Sequence, residues 1–224
     1  MGSATLWSVW TSWLVEYPIE NALNALYSAG FKSLELSVEH FNECLARSGE
    51  LAYLDETESF KARALSMSKR GAVRIEDFPP VRFVHAHGPF RPFCIRALDE
   101  VDKAVAVVSE WIRWCTRLGV DTLVCHPFTA EGVSEEKLER VNLIGFKSLS
   151  RVAEECGVTL AVENMARGFG SCAAHILRLI REYPALAACI DTGHANICAY
   201  RGKVHELVME LGGHIAATHV SDND

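Results

Sequence analysis

The chain has 224 residues, 49% of them hydrophobic, and a formal net charge of -7. That length supports one sizeable core, and barrel folds of about 200 to 250 residues often form one domain, so residues 1–224 are read as a single domain. The acidic, evenly mixed composition argues against a nucleic-acid backbone as the main partner. The N-terminal MGSATLWSVWTSWL has neither a basic leader nor a long apolar run, so no signal peptide or membrane span is expected. Eight cysteines (Cys44, Cys94, Cys115, Cys125, Cys156, Cys172, Cys189, Cys198) are scattered without a CxxC pair. They read as reduced thiols of a cytoplasmic protein, not as a disulfide frame or zinc knuckle.

Leu6–Val9 reads as a first strand. Pro18 then opens a helix through Ala29, with Ile19, Ala22, Leu23 and Leu26 on one face and Gly30 as its stop. Ser33–Val38 alternates as a second strand, with Glu35, Ser37 and Glu39 on one face. A helical stretch from Glu58 to Lys69 follows. Pro79-Pro80 precedes a third strand, Val81–Ala86, and helical sequence runs from Ala97 to Leu118. Thr122–Cys125 is a fourth strand running into His126-Pro127. Ser134 is placed to cap the next helix, with Glu135 and Glu136 in its first turn. Thr159–Val162 is a fifth strand ending at Glu163-Asn164, and Ser171 caps a helix to Tyr183. Leu186–Ile190 is a sixth strand leading into Asp191, Lys203–Leu211 a helix, and Ile215–Val220 a seventh strand. Strand and helix alternate throughout, which implies parallel strands joined by right-handed crossovers. Neither GxGxxG nor GxxxxGK[ST] occurs, so nucleotide-binding doubly wound folds lose their strongest cue. The expected fold is an α/β (β/α)8 barrel lacking its eighth β/α unit in this chain.

The ionisable residues fall at strand ends: His85 and His87 after the third, His126 after the fourth, Glu163 after the fifth, Asp191 and His194 after the sixth, His219 and Asp222 after the seventh. In a barrel these ends share one mouth. At one strand a solvated residue is the plain reading, but five in succession converge on one volume. Imidazoles and carboxylates without Lys or Arg neighbours form a ligand set for a divalent cation. Without one, the carboxylates would crowd together and their pKa values rise.

The set VHAHGPF, CHPF, AVENM, IDTGHA and THVSDND resembles the xylose-isomerase-like TIM-barrel superfamily, which includes sugar phosphate isomerases and epimerases and AP endonuclease family 2. The resemblance implies metal ligands at Glu163, Asp191 and His219. A fourth ligand, a Glu after an eighth strand, has no counterpart before Asp224. It also implies a metal-dependent isomerase or epimerase acting on a sugar, sugar phosphate or polyol by proton transfer through an enediolate. Glu163 is then base as well as ligand, His194 contacts substrate, and His87 and His126 line the mouth against substrate or a further metal. Two carboxylates and one His favour Mn, Mg or Co; the additional histidines favour Zn. The small-molecule substrate is the expected partner, with a homo-oligomeric state left open. An AP endonuclease-type phosphodiester hydrolase ranks below this, because the loop PFTAEGVSEE is acidic where a DNA grip needs Lys and Arg. A non-catalytic, truncated barrel is the third reading.

Other polar and aromatic residues receive plainer assignments. Trp7, Trp10 and Trp13 are expected in core and rim packing, with a sugar-ring face as the alternative. His85 is expected one layer below His87 as a core histidine with a hydrogen-bond partner. Glu35, mid-strand on the inner face, is either a substrate contact or half of a buried pair with a basic residue. Glu39 and His40 read as loop, His175, His205 and His214 as surface, and Arg167 to Gly170 as an ordinary loop.

Overall fold

The computed structural model describes residues 7–197 and 199–221. Its strands are β1 (Val9–Trp10), β2 (Ser33–Leu36), β3 (Arg82–His87), β4 (Thr122–Cys125), β5 (Thr159–Glu163), β6 (Leu186–Asp191) and β7 (Ile215–His219). All pair in parallel, in chain order, within one sheet. The helices are α1 (Ile19–Ser28), α2 (Val38–Arg47), α3 (Glu58–Met67), α4 (Val101–Leu118), α5 (Glu135–Cys156), α6 (Ala173–Glu182), α7 (Thr192–Ile197) and α8 (Val204–Leu211). β7 approaches β4 and β5 across the interior, so the sheet curls, while β1 and β7 remain its two edges. The result is seven strands of a (β/α)8 barrel in an open curl, as the alternation implies.

Two apolar layers form. The main core lies between sheet and helices, with Trp111, Phe41, Phe128 and Phe146 fully buried in it. Val124, Ala161, Cys189 and Ala217 pack separately, one from each of four adjacent strands. The strands alternate their side chains, so this second cluster is the inward-facing layer of the curl. Helix ends repeat one device. Gly119 and Gly157 adopt left-handed φ of 68° and 66°, and the next residue's N–H turns back to Cys115 or Ala153. Only glycine takes that conformation cheaply, so each helix stops and hands the chain to the next strand.

Several expectations need correction. The first strand is Val9–Trp10, and Leu6 lies outside the described residues. Trp7 and Trp13 are 81% and 77% exposed, so neither packs into core or rim. The second strand ends at Leu36, because Ser37 starts α2 and its hydroxyl accepts the His40 N–H. Glu39 and His40 are therefore helical, and His40 is fully buried. α6 starts at Ala173 after Cys172, and Ser171 makes no cap; Ser134 precedes α5 but its side chain makes no capping bond. His205 and His214 are exposed as expected, whereas His175 is half-buried and stacks on Phe169. Among the described residues no helix is long and apolar enough to cross a membrane. Seven cysteines are free thiols, and Cys198 lies outside the described residues.

Candidate metal centre

The strand ends deliver their polar residues to one place because each is the next inward position after an apolar one. Val124 precedes His126, Ala161 precedes Glu163, Cys189 precedes Asp191 and Ala217 precedes His219, each by two residues. The polar layer therefore sits directly on the small apolar layer, at the carboxyl ends of β3 to β7.

Glu163 is its hub. Its carboxylate is buried, at 1% exposure, and four imidazoles face it. His87 Nε2 and His126 Nε2 each lie 3.2 Å from Oε2, His219 Nδ1 lies 3.2 Å from Oε1, and His194 Nδ1 lies 3.4 Å from Oε1. Asp191 completes the group, its Oδ2 at 4.0 Å from His219 Nδ1 and 3.9 Å from His194 Nδ1. Among the described residues no Lys or Arg pairs with Glu163 or Asp191. Burial pushes Glu163 toward the protonated form, but the four imidazoles outweigh it and hold the carboxyl well below its usual range. The same contacts raise His194 to about 9, with Glu163 the chief cause. His87 rises because Glu163 overcomes its burial, whereas at His126 burial prevails and lowers the pKa.

Supporting bonds fix these groups. Asn164 holds Asp191 with both ends of its amide: Oδ1 accepts the Asp191 N–H at 2.7 Å, and Nδ2 donates to the Asp191 carbonyl at 3.0 Å. Asp191 Oδ1 accepts the His194 N–H at 2.7 Å, which starts α7 directly on the strand end. His87 Nδ1 lies 2.9 Å from the Gly88 carbonyl; an N–H there leaves Nε2 facing Glu163. Gly88 permits this turn, since a Cβ on it would stand 2.8 Å from the Val124 carbonyl oxygen. Buried Asn142 accepts the Phe128 N–H and donates to the Phe128 carbonyl, bracing the segment that carries His126. Phe90 lies with its ring 4.6 Å from that of His87 and 5.0 Å from that of His126, walling one side.

All six singled-out residues, Glu163, Asp191, His219, His194, His87 and His126, thus meet in one cluster. Asp222 lies outside the described residues. Three sets of side chains could each hold a cation: His87, His126 and Glu163; Glu163, Asp191 and His194; and Glu35, His85 and His219. Glu35 forms the buried pair with basic residues that was one of its two expected roles, its partners being His85 and His219. His85 is buried as expected and its Nε2 faces Glu35 at 3.1 Å, but that nitrogen lacks the expected hydrogen bond because the contact is not aligned for one. Asn164 and Phe90 were visible in the motifs AVENM and HGPF, but a bracing amide and a ring wall have no spacing signal of their own.

The family model described as xylose isomerase-like TIM barrel matches residues 23–224. A D-tagatose 3-epimerase-like protein superposes with a TM-score of 0.69 at 19% identity, covering 97% of this chain and 76% of that one. The IOLI protein with a binding zinc atom gives 0.67 at 15%, covering 97% and 74%. An AP endonuclease, family 2, from Brucella melitensis gives 0.59 at 16%, covering 91% and 73%. No curated protein matches the sequence. With the fold, the strand-end cluster and a family match over most of its length, the chain belongs to the xylose isomerase-like TIM barrel family.

Proposed function

We propose that the protein is a divalent-metal-dependent isomerase or epimerase of a sugar, sugar phosphate or related polyol. The observation that carries this reading is the buried Glu163 carboxylate, ringed by four imidazoles and adjoined by Asp191, with no Lys or Arg among the described residues to neutralise it. That donor set fits a divalent cation: it offers carboxylate oxygen and imidazole nitrogen atoms within reach of one another, and a bound cation would take the place of the imidazole protons. Glu163, Asp191 and His219 would hold the ion; Mn, Mg, Co and Zn all suit them. When bound, it would polarise a substrate carbonyl and offset the charge that develops on its oxygen.

The chain's own residues do the rest. Glu163 is ionised and so available to take a proton from the carbon beside the carbonyl. Its pKa is low, so it is a weak base and needs an acidified carbon, which a polarised carbonyl provides. His194 Nδ1 lies 3.1 Å from the Asn164 carbonyl, and a proton kept there leaves Nε2 for a substrate oxygen. His87 and His126 line the site beside them, with the Phe90 ring packed against both. The seven free thiols among the described residues accord with a reducing, cytoplasmic setting.

A second reading rests on the set His87, His126 and Glu163, which gives the site room for more than one ion and suits phosphodiester hydrolysis. The acidic loop after β4 disfavours a DNA substrate. Solvent-deuterium incorporation into a panel of ketoses and ketose phosphates separates the two. The metal-loaded protein is expected to label a carbon next to the carbonyl, and Glu163→Gln to abolish labelling. Cleavage of an abasic-site duplex without any sugar labelling would favour the hydrolase and contradict the isomerase.

A further inference from the structure

Below the metal centre lies a second charged group that the proposed chemistry does not use. Glu35, on β2, is 7% exposed and carries its carboxylate between two imidazoles. Its Oε1 is 3.1 Å from His219 Nε2 and its Oε2 is 3.1 Å from His85 Nε2. Both are close contacts and not straight hydrogen bonds, and neither ring nitrogen has a hydrogen-bond partner among the described residues. The carboxylate is thus enclosed in the barrel interior with an imidazole at each oxygen. His219 spans the two groups, with Nδ1 toward Glu163 and Asp191 above and Nε2 toward Glu35 below.

We infer that Glu35 is a positioning residue for the metal centre: it keeps a proton on His219 Nε2 and thereby presents the Nδ1 lone pair to the cation. A neutral imidazole has one N–H and one lone pair. Whichever nitrogen keeps the proton leaves the other as ligand, and an anion beside Nε2 decides the matter. Carboxylates behind ligand histidines commonly fix ring orientation and strengthen the ligand in this way. His85 occupies the second oxygen of Glu35 and holds the carboxylate edge toward His219. No Lys or Arg pairs with Glu35 among the described residues, so its charge is directed wholly at these two rings.

This inference rests on the reading of Glu163, Asp191 and His219 as a metal site, and the test separates the two. Nitrogen-15 spectra of the zinc-loaded full chain report each histidine nitrogen as protonated, bare or metal-bound. His219 is expected to show Nε2 protonated and Nδ1 bound to zinc. Zinc titration should show Glu35→Gln binding 10- to 100-fold more weakly than wild type. His85→Gln, which leaves Glu35 beside His219, should bind more tightly than Glu35→Gln. Zinc on Nε2, or an unchanged affinity in a folded Glu35→Gln protein, overturns the inference while leaving the metal site intact. Loss of one whole equivalent of zinc in Glu35→Gln, with the remainder bound as in wild type, also overturns it, because a second cation would then sit among Glu35, His85 and His219. Failure of wild type to bind zinc defeats both readings. The spectrum of wild type needs no variant, so a misfolded Glu35→Gln does not shelter the proposal.

Discussion

Replacing Glu163 with glutamine in the metal-free protein should cost most stability near pH 6 and least near pH 9. The substitution keeps the shape of the side chain and removes one charge from a position that is 1% exposed. Four imidazole nitrogens lie within 3.2 to 3.4 Å of that charge. His87, His194 and His219 all have pKa values raised above 6.5 in the fold, Glu163 being one of the causes in each case. A histidine raised in this way contributes stability that is fully present below its unfolded pKa and is lost as pH climbs through the folded value, about 9 for His194. Glutamine removes the counter-charge and therefore that contribution. Removing one partner of a buried pair costs about 3–5 kcal/mol. At roughly 2–4 °C per kcal/mol for a chain of this size, the Tm near pH 6 should fall by about 6–20 °C. As pH rises and the imidazoles lose their protons, the gap between variant and wild type should narrow. Calorimetry of both proteins in chelator at pH 6, 7.5 and 9 provides the measurement. A gap that is constant with pH, or widest at pH 9, would refute the electrostatic reasoning.

Three further outcomes follow from neighbouring contacts. Asn164→Ala leaves the Asp191 N–H and carbonyl without their amide partners; it should weaken divalent-metal binding by about 10- to 100-fold, and an unchanged Kd by titration calorimetry would deny Asn164 its bracing role. Gly170→Ala should destabilise the chain by about 2–5 kcal/mol, because left-handed backbone and overpacking both penalise a side chain there. Gly170 sits at φ +94°, and an added Cβ would meet Pro127 Cγ at 2.8 Å; an unshifted urea midpoint would count against that packing. His40 lies far from this chemistry, pushed down to about 4 by burial and by Arg63. Its lowered pKa contributes stability present above 6.5 and lost as pH falls toward 4, so His40→Gln should flatten the acid limb of the stability curve. An equally steep acid limb in the variant would exclude that role.

Much of the fold was legible because two periodicities alternate along the chain, and much of the site because strand ends carried the same kinds of side chain. TLAV-E and LAACI-D each set a carboxylate straight after a buried strand, and parallel pairing did the rest. What was not legible depends on partners distant in sequence. Thr192–Ile197 carries Gly193 and no helical periodicity, and its helix depends on Asp191 Oδ1 accepting the His194 N–H. Glu39 and His40 read as loop because the α2 start depends on the Ser37 hydroxyl. Trp7 and Trp13 look like core from composition, but exposure is decided by which faces neighbouring elements cover. Glu35 could be placed on the inner face by alternation alone; its partner His85, 50 positions on, is set beside it by the register of β2 on β3, and His219, 184 positions on, only by the barrel's curl.

A divalent cation held by Glu163, Asp191 and His219 is the proposal on which the function rests. Titration of cobalt into the metal-free full chain, followed by its visible absorption, reads that directly, since carboxylate and imidazole donors give a protein-specific spectrum. Saturable binding that is lost or strongly weakened in both Glu163→Gln and Asp191→Asn is the predicted result. Absence of binding by the wild-type chain, or binding equally tight in both variants, would contradict it.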